Sequence, residues 1–350
     1  VGDAMATTIW GTSSSWTLTA LPLFVWMGEI LFRTKLSENL FKGLSPWMQK
    51  LPGGLIHVNV VGCALFAAIS GSSAATVATV GKMSIPELRK RNYPEKILLG
   101  SLAGSGTLGL LIPPSIILII YGVAVQESIA KLFIAGIIPG IMIALIFMSY
   151  VIIWSLINKK EMPKILEEYS FLEKIKRSKQ LLPVILLISA VIGSIYTGIA
   201  TATEAASLGV VGALILSYFQ KSLTLKTFKS SLLGATKTSC MIAFILAGST
   251  FLSLAMGFTG LPRNLAIWIQ NMDLSPYVLI LVLMIFYIIL GMFLDGISAV
   301  VLTMAIIEPM IRQAGFDMIW FGIFLVIVVE MAQITPPVGF NLFVLQSMAN

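Results

Sequence analysis

The stretch Gly100–Tyr121, GSLAGSGTLGLLIPPSIILIIY, is apolar enough to cross a bilayer, yet Pro113 and Pro114 stand in its middle. A helix bonds each N–H to the carbonyl four residues back, so this pair deprives the carbonyls of Gly109 and Leu110 of their helical partners. Pro113 also pushes Ile112 out of helical geometry. An unsatisfied carbonyl is costly in hydrocarbon, so such a break survives only beside protein, water or an ion. The same device returns in Glu330–Phe343, EMAQITPPVGFNLF, where Pro336 and Pro337 release the carbonyls of Ala332 and Gln333. Two broken membrane helices in corresponding places are a sequence pointer to the binding site of a secondary transporter.

Composition agrees with a membrane setting. Charged residues are 11% of the chain and hydrophobic ones 57%, against roughly 25% charged in soluble domains. Apolar runs of about 20 residues recur, which implies a polytopic α-helical membrane protein. The short alternating segments of a membrane β-barrel are absent. The 23 Lys+Arg exceed the 16 Asp+Glu, and cytoplasmic loops explain this better than nucleic acid. Cys63 and Cys240 lie in apolar runs, so no disulfide framework is expected.

In chain order, Val1–Trp16 reads as an external polar segment and Leu18–Phe32 as a first span. Leu36–Lys50 reads as an amphipathic interfacial helix. Pro52–Met83 is a long apolar stretch interrupted at Ser70-Gly71-Ser72-Ser73. Its second arm, Ala74–Val80, is too short to span, which suggests a re-entrant hairpin. The following Lys82, Arg89, Lys90, Arg91 and Lys96 place both hairpin ends in the cytoplasm. After the broken helix 97–125 come a span at Leu132–Ile157 and a polar stretch, Asn158–Gln180, read as a surface helix between two halves. Leu181–Ala200, Ala205–Phe219 and Ser239–Gly257 are further spans, and Leu261–Gln270 is a second interfacial helix. Pro276–Ile307 is a second hairpin, interrupted at Leu294-Asp295-Gly296-Ile297-Ser298. Glu308, Arg312 and Asp317 give its ends no positive excess, so they are expected outside.

The halves repeat. Pro86, Arg89, Pro113 and Pro114 recur at one constant offset as Pro309, Arg312, Pro336 and Pro337. The tips Ser73-Ala74 and Ser298-Ala299 match that offset closely, and Met27-Gly28 answers to Met256-Gly257. Opposite orientation of the two hairpins makes this an inverted-topology repeat. The offset leaves helices 203–219 and 132–157 without counterparts, so the chain is expected to be trimmed at both ends.

Ile69–Gly140, together with PLFVWMGEIL at 22–31, ATATEAASLG at 200–209, GMFLDGISA at 291–299 and ITPPVGFNLF at 334–343, resembles the large membrane subunit of tripartite ATP-independent periplasmic (TRAP) transporters. Segment order and spacing agree along essentially the whole chain. The resemblance implies an elevator-type, all-α membrane fold with inverted repeats, two re-entrant hairpins and two broken transmembrane helices. It implies a scaffold helix and arm over residues 1–50 and the first half of a transport domain over 51–130. Scaffold helices and a second arm over 131–274 and the second transport half over 275–350 complete the division. It implies Na⁺-coupled uptake of an organic anion, of carboxylate or sialic acid type, across the bacterial inner membrane. A periplasmic binding protein and a small four-helix membrane subunit are the implied partners.

Na⁺ is a hard cation that takes oxygen ligands, which freed carbonyls and hydroxyls provide. In the first half, Ser70, Ser72 and Ser73 could meet the backbone at Gly109, Ile112 and Pro113; in the second, Gly296 and Ser298 could meet Thr335 and Pro336. Small residues that merely let helices approach are the plainer reading, and it suits Gly100 and Gly104. Ser72, Ser73, Asp295 and Asn341 are the candidate substrate contacts. Asp295 is a carboxylate at a predicted tip inside the membrane, where function is the default, unless the tip is shallow and open to water. Glu330 is placed to cap or brace the second break. Asn59 could bond backbone or substrate. Glu29 and Arg33 have the spacing of an i,i+4 surface pair. Glu204 reads as a helix cap, and His57, the lone histidine, as structural.

An intramembrane protease is rejected, because His57 is the only histidine and Asp295 has no intramembrane Asp partner. A channel gains nothing from two oppositely oriented breaks. A stand-alone Na⁺/dicarboxylate transporter remains the alternative, separated by whether uptake needs a binding protein.

Overall fold

The computed structural model describes residues 2–34, 36–163, 169–179, 181–260, 264, 267 and 275–349, and all its regular structure there is helical. The first half runs α1 (Gly2–Ser13), a 3₁₀ turn (Trp16–Thr19), α2 (Ala20–Phe32), α3 (Leu36–Met48), α4 (Ile56–Ser70), α5 (Ser73–Lys90), α6 (Glu95–Gly106), α7 (Leu108–Leu111), α8 (Ile116–Ala124) and α9 (Ile129–Ile157). The second runs α10 (Phe171–Ser178), α11 (Leu182–Tyr196), α12 (Ala202–Phe219), α13 (Leu225–Thr259), α14 (Pro276–Gly291), α15 (Gly296–Gln313), α16 (Met318–Gln333) and α17 (Phe340–Ala349). Among the described residues four helices are long and apolar enough to cross a membrane, or up to seven if each bent pair is one span.

The repeat is visible in the helix boundaries. The offset that carries Pro113 to Pro336 also carries α5 onto Gly296–Gln313, both bounds of α15, and Glu95, the start of α6, onto Met318, the start of α16. Ser72 and Asp295, the N-caps of α5 and α15, are related by the same shift. The caps therefore correspond, rather than the Ser-Ala pairs, which lie slightly out of register.

Each hairpin turns for a local reason. Gly71, at φ +59°, ends α4 in the left-handed conformation that glycine adopts freely. The Ser72 hydroxyl then accepts from the Ala75 N–H to begin α5. At the second tip Asp295 Oδ2 accepts from the N–H groups of Ile297 and Ser298, 3.1 Å each. The first broken helix bends by 41° between α6–α7 and α8, and Pro113-Pro114 and Pro336-Pro337 are both cis.

Packing crosses between the halves. α8, beyond the first break, lies against α15; α17, beyond the second, lies against α5. Arg312, at the base of the second hairpin, donates to the Val125 carbonyl at the far end of α8 (3.1 Å). Glycines on α9 admit the first break: a Cβ on Gly136 would lie 3.0 Å from the Leu111 carbonyl, and one on Gly140 2.8 Å from Ile112. α2 packs on α12 and α13, with Trp26 donating to Ser231 and Arg33 to Ser230.

Several expectations are corrected. The amino-terminal segment is helical and packs on α13; it is short of charge and contains good helix formers such as Ala4, Met5 and Ala6. The second arm of the first hairpin is not confined to Ala74–Val80 but continues through Pro86 to Lys90. The helix at 239–257 begins at Leu225 and carries Lys226, Lys229 and Lys237 within it. In both cases charge was taken to end a helix, whereas it only draws that part of the helix toward water. Over the described part of Asn158–Gln180 the surface helix is limited to α10. The interfacial helix expected at Leu261–Gln270 falls almost entirely outside the described residues.

Candidate functional site

Both tips and both breaks border one cavity of about 530 Å³. The first tip contributes Ser70, Ser72 and Ser73, and the second Asp295 and Gly296; Leu110 and Gln333 flank the breaks, and Glu29 of α2 faces in. The amino termini of α5 and α15 therefore open on the same space, each with its partial positive charge. No lysine or arginine lines the cavity among the described residues. Its charged side chains are the carboxylates of Asp295 and Glu29, and Glu29 is ion-paired to Arg33.

The first tip fits closely against its break. The Gly71 carbonyl accepts from the Ile116 N–H at 3.3 Å. A Cβ on Gly109 would lie 2.6 Å from the Ser72 carbonyl oxygen and 2.7 Å from the Ser73 Cα. Ile112 is extended, as the following proline requires. Ser70 bonds the Thr76 hydroxyl (2.8 Å) and the Ser72 carbonyl (3.2 Å). Gly109 and the Pro114 carbonyl thus meet the first tip, at Ser72–Ser73 and at Gly71, whereas Ile112 is set against Gly140 of α9, and Gly109, Ile112 and Pro113 do not line the cavity. Gly28 holds α2 against this tip, since a Cβ there would lie 2.9 Å from the Ile69 carbonyl oxygen.

The second tip meets its own break by a similar bond, and a Cβ on Gly291 would lie 2.7 Å from the Ala332 Cβ. The Met292 carbonyl accepts from the Val338 N–H at 3.3 Å. Thr335 turns its hydroxyl back to the Met331 carbonyl (2.7 Å). Gly296 borders the cavity, whereas Ser298, Thr335, Pro336 and Asn341 are not among its lining residues. Asn341 is fully enclosed, and its side-chain amide has no hydrogen-bond partner among the described residues. Two of the carbonyls expected to be free are answered locally: Leu110 accepts the Ser115 hydroxyl, and Ala332 accepts the Thr335 N–H. The donor comes from just after the first proline pair and from just before the second, which the proline rule by itself does not anticipate.

Two side chains of α16 join the halves beside the breaks. Glu330, buried on α16, accepts from the Leu110 N–H at 2.9 Å, so it braces the first break and not the second. Gln333 accepts the Ser73 hydroxyl at 2.7 Å through Oε1, and its Nε2 lies 2.6 Å from where a Cβ on Gly296 would be. Its amide therefore touches both helix starts. Sequence reasoning missed Gln333 as a side chain. The available signal was an uncharged polar residue in an apolar helix, just before a double proline.

The remaining assignments hold. Glu204 forms a capping box with Thr201, and the His57 ring is bonded to the Pro52 carbonyl at 2.8 Å. Asn59 bonds Ser101 (2.9 Å), away from the cavity. Cys63 is buried and Cys240 exposed, and both are free.

A family model described as "Tripartite ATP-independent periplasmic transporter, DctM component" matches residues 1–350. The chain belongs to that family. It is a transporter permease subunit and not an enzyme. The C4-dicarboxylate TRAP transporter large permease protein DctM of Pseudomonas aeruginosa is 34% identical over 97% of this chain and 79% of that protein. The 2,3-diketo-L-gulonate TRAP transporter large permease protein YiaN of Escherichia coli is 32% identical over 99% and 81%. The sialic acid TRAP transporter large permease protein SiaM of Vibrio cholerae is 31% identical over 97% and 79%. In fold, this DctM-family chain is similar to the Alcanivorax borkumensis YdaH transporter, at TM-score 0.72 and 11% identity over 99% of this chain and 81% of that one.

Proposed function

We propose that this permease carries an organic anion inward across the bacterial inner membrane, coupled to Na⁺, by an elevator-type movement of the hairpins and broken helices against the other helices. The observation that carries the coupling is electrostatic. An anion entering the cavity meets the Asp295 carboxylate and the Glu29–Arg33 ion pair, and no lining lysine or arginine among the described residues. Helix amino termini offset part of that repulsion. A cation held at the tips would offset the rest, and Ser70, Ser73 and the backbone around Gly109, Ile112 and Pro113 are oxygen donors of the kind Na⁺ takes. Gly296, Ser298, Thr335 and Pro336 are the corresponding set for a second ion. Ser72, Ser73 and Asp295, which line the cavity, remain the proposed substrate contacts; Asn341, enclosed off its wall, would join them only through rearrangement of the second break. The relatives named for C4-dicarboxylates, diketogulonate and sialic acid all act on acids, which supports an acid as substrate here.

An inverted repeat supports the elevator reading. The base of the first hairpin leads into α6, while Arg312 at the base of the second reaches Val125 at the other end of the same bent span. The hairpins then enter from opposite faces and their tips meet at the cavity. A periplasmic binding protein and a small membrane subunit complete the proposed system. The test is uptake by the reconstituted permease and small subunit, with a Na⁺ gradient and binding protein each supplied or withheld. Uptake should require both. Uptake driven by protons alone, or independent of the binding protein, would refute the coupling or the partner respectively.

A further inference from the structure

The short helix α10 follows the α9 span, which ends at Ile157, and leaves α11 at a bend of 59°. It therefore lies where two apolar spans reach water. At 100° per residue, Phe171, Leu172 and Ile175 fall within one arc of roughly 100°. They are 66%, 78% and 39% exposed, so the described residues leave this face largely uncovered. Lys174 and Lys176 flank the arc on either side, Arg177 lies behind it and Lys179 follows. The carboxylate within α10, Glu173, is occupied by a capping box with Ser170.

The orientation of α10 is fixed along one edge of the arc. Trp47 of α3 donates to the Ser178 hydroxyl at 2.7 Å, and its ring meets Phe171 edge-on at 6.3 Å and lies 5.5 Å below the Lys174 ammonium. These contacts anchor that edge on α3 and leave Leu172 and the rest of the arc facing away from it. An outward apolar face bordered by long cations is the arrangement that lies in a headgroup layer, with stems buried and charges at the phosphates.

We propose that α10 docks on the anionic phospholipid surface, inserting Phe171, Leu172 and Ile175 and setting Lys174, Lys176 and Lys179 against lipid phosphates, while Arg177, behind the arc, stays on Tyr169. This goes beyond the transport reading and does not rest on its coupling ion. A basic interfacial residue gains roughly fivefold in binding to an anionic leaflet, so removing three lowers the docked-to-undocked ratio on the order of a hundredfold.

The full chain is tested with Leu172→Cys carrying an environment-sensitive fluorophore, in a Cys240→Ser background because Cys240 is exposed and Cys63 buried. The labelled protein is reconstituted in phosphatidylcholine alone and in phosphatidylcholine mixed with phosphatidylglycerol. Emission should shift to shorter wavelength and be quenched by lipid-borne quenchers only with phosphatidylglycerol, and added salt should weaken the effect. Lys174→Gln with Lys176→Gln and Lys179→Gln should abolish it, whereas Lys174→Arg with Lys176→Arg should preserve it. Equal emission in both vesicle types would overturn the proposal. So would a label already shielded in detergent or by the small subunit, because protein and not lipid would then cover the face.

Discussion

Ser72 and Asp295 stand at the same place in the two halves of the fold, each capping the second arm of a hairpin, yet one offers a hydroxyl and the other a carboxylate. The same contrast runs through the breaks. Glu330 and Gln333 occupy in the second half the positions of Thr107 and Leu110 in the first. Thr107 donates its hydroxyl to the Gly104 carbonyl and also lies within hydrogen-bond reach of the Glu330 carboxylate. Glu330 and Gln333 reach across, to Leu110 and Ser73. The repeat sets where the tips and breaks lie; the departures from it make the first tip neutral and braced from the second half. The second tip carries the charge, and α16, before the second break, supplies the braces.

The largest difference should appear at the glycines under the tips. Gly109→Ala sets a Cβ against backbone of Ser72 and Ser73, which no rotamer change relieves, so uptake should fall to background with the protein still inserted. Gly296→Ala meets the side chains of Gln333 and Val329, which can move, and should retain measurable uptake. Equal losses in reconstituted vesicles would break the comparison.

Next come the braces. Glu330→Ala leaves the buried Leu110 N–H without its carboxylate, at a cost of about 1–3 kcal/mol, and should lower the unfolding midpoint in detergent. Thr107→Ala loses the bond to the Gly104 carbonyl and a contact with Glu330 but leaves the Leu110 N–H answered, about 0.5–1.5 kcal/mol. A Thr107→Ala midpoint as low as that of Glu330→Ala would show that bracing is not one-sided.

At the caps, Asp295→Ala should cost about 1 kcal/mol of stability, while Asp295→Asn keeps an acceptor for Ile297 and Ser298 and costs little. The Asn variant thereby isolates the charge. It should change the substrate concentration for half-maximal uptake with little change in melting; unchanged uptake kinetics would reduce Asp295 to a cap. Smallest in stability is Gln333→Leu, about 1 kcal/mol or less, which removes the acceptor of the Ser73 hydroxyl. It should still raise the Na⁺ concentration for half-maximal uptake, and a Na⁺ titration indistinguishable from the unaltered protein would remove Gln333 from the coupling.

The breaks, the tips and the repeat were legible because double prolines and Gly-Ser interruptions inside apolar runs have few structural readings. The i,i+4 spacing of Glu29 and Arg33 foretold their pairing. That Glu29 also borders the cavity was not legible, since it depends on Gly28 letting α2 approach the first tip. Gln333 and Glu330 act on partners in the opposite half of the chain, and no local pattern announces a partner that far away. The full lengths of α5 and α13 were missed because lysines end a membrane span without ending a helix.

The central claim is that ion and substrate meet at the same tips, and equilibrium binding tests it most directly. Substrate affinity is measured by titration calorimetry across Na⁺ concentrations, and Na⁺ affinity across substrate concentrations, on the purified permease with its small subunit. The account predicts that each tightens the other by the same factor, as linkage requires. Substrate affinity that does not change with Na⁺ would contradict it.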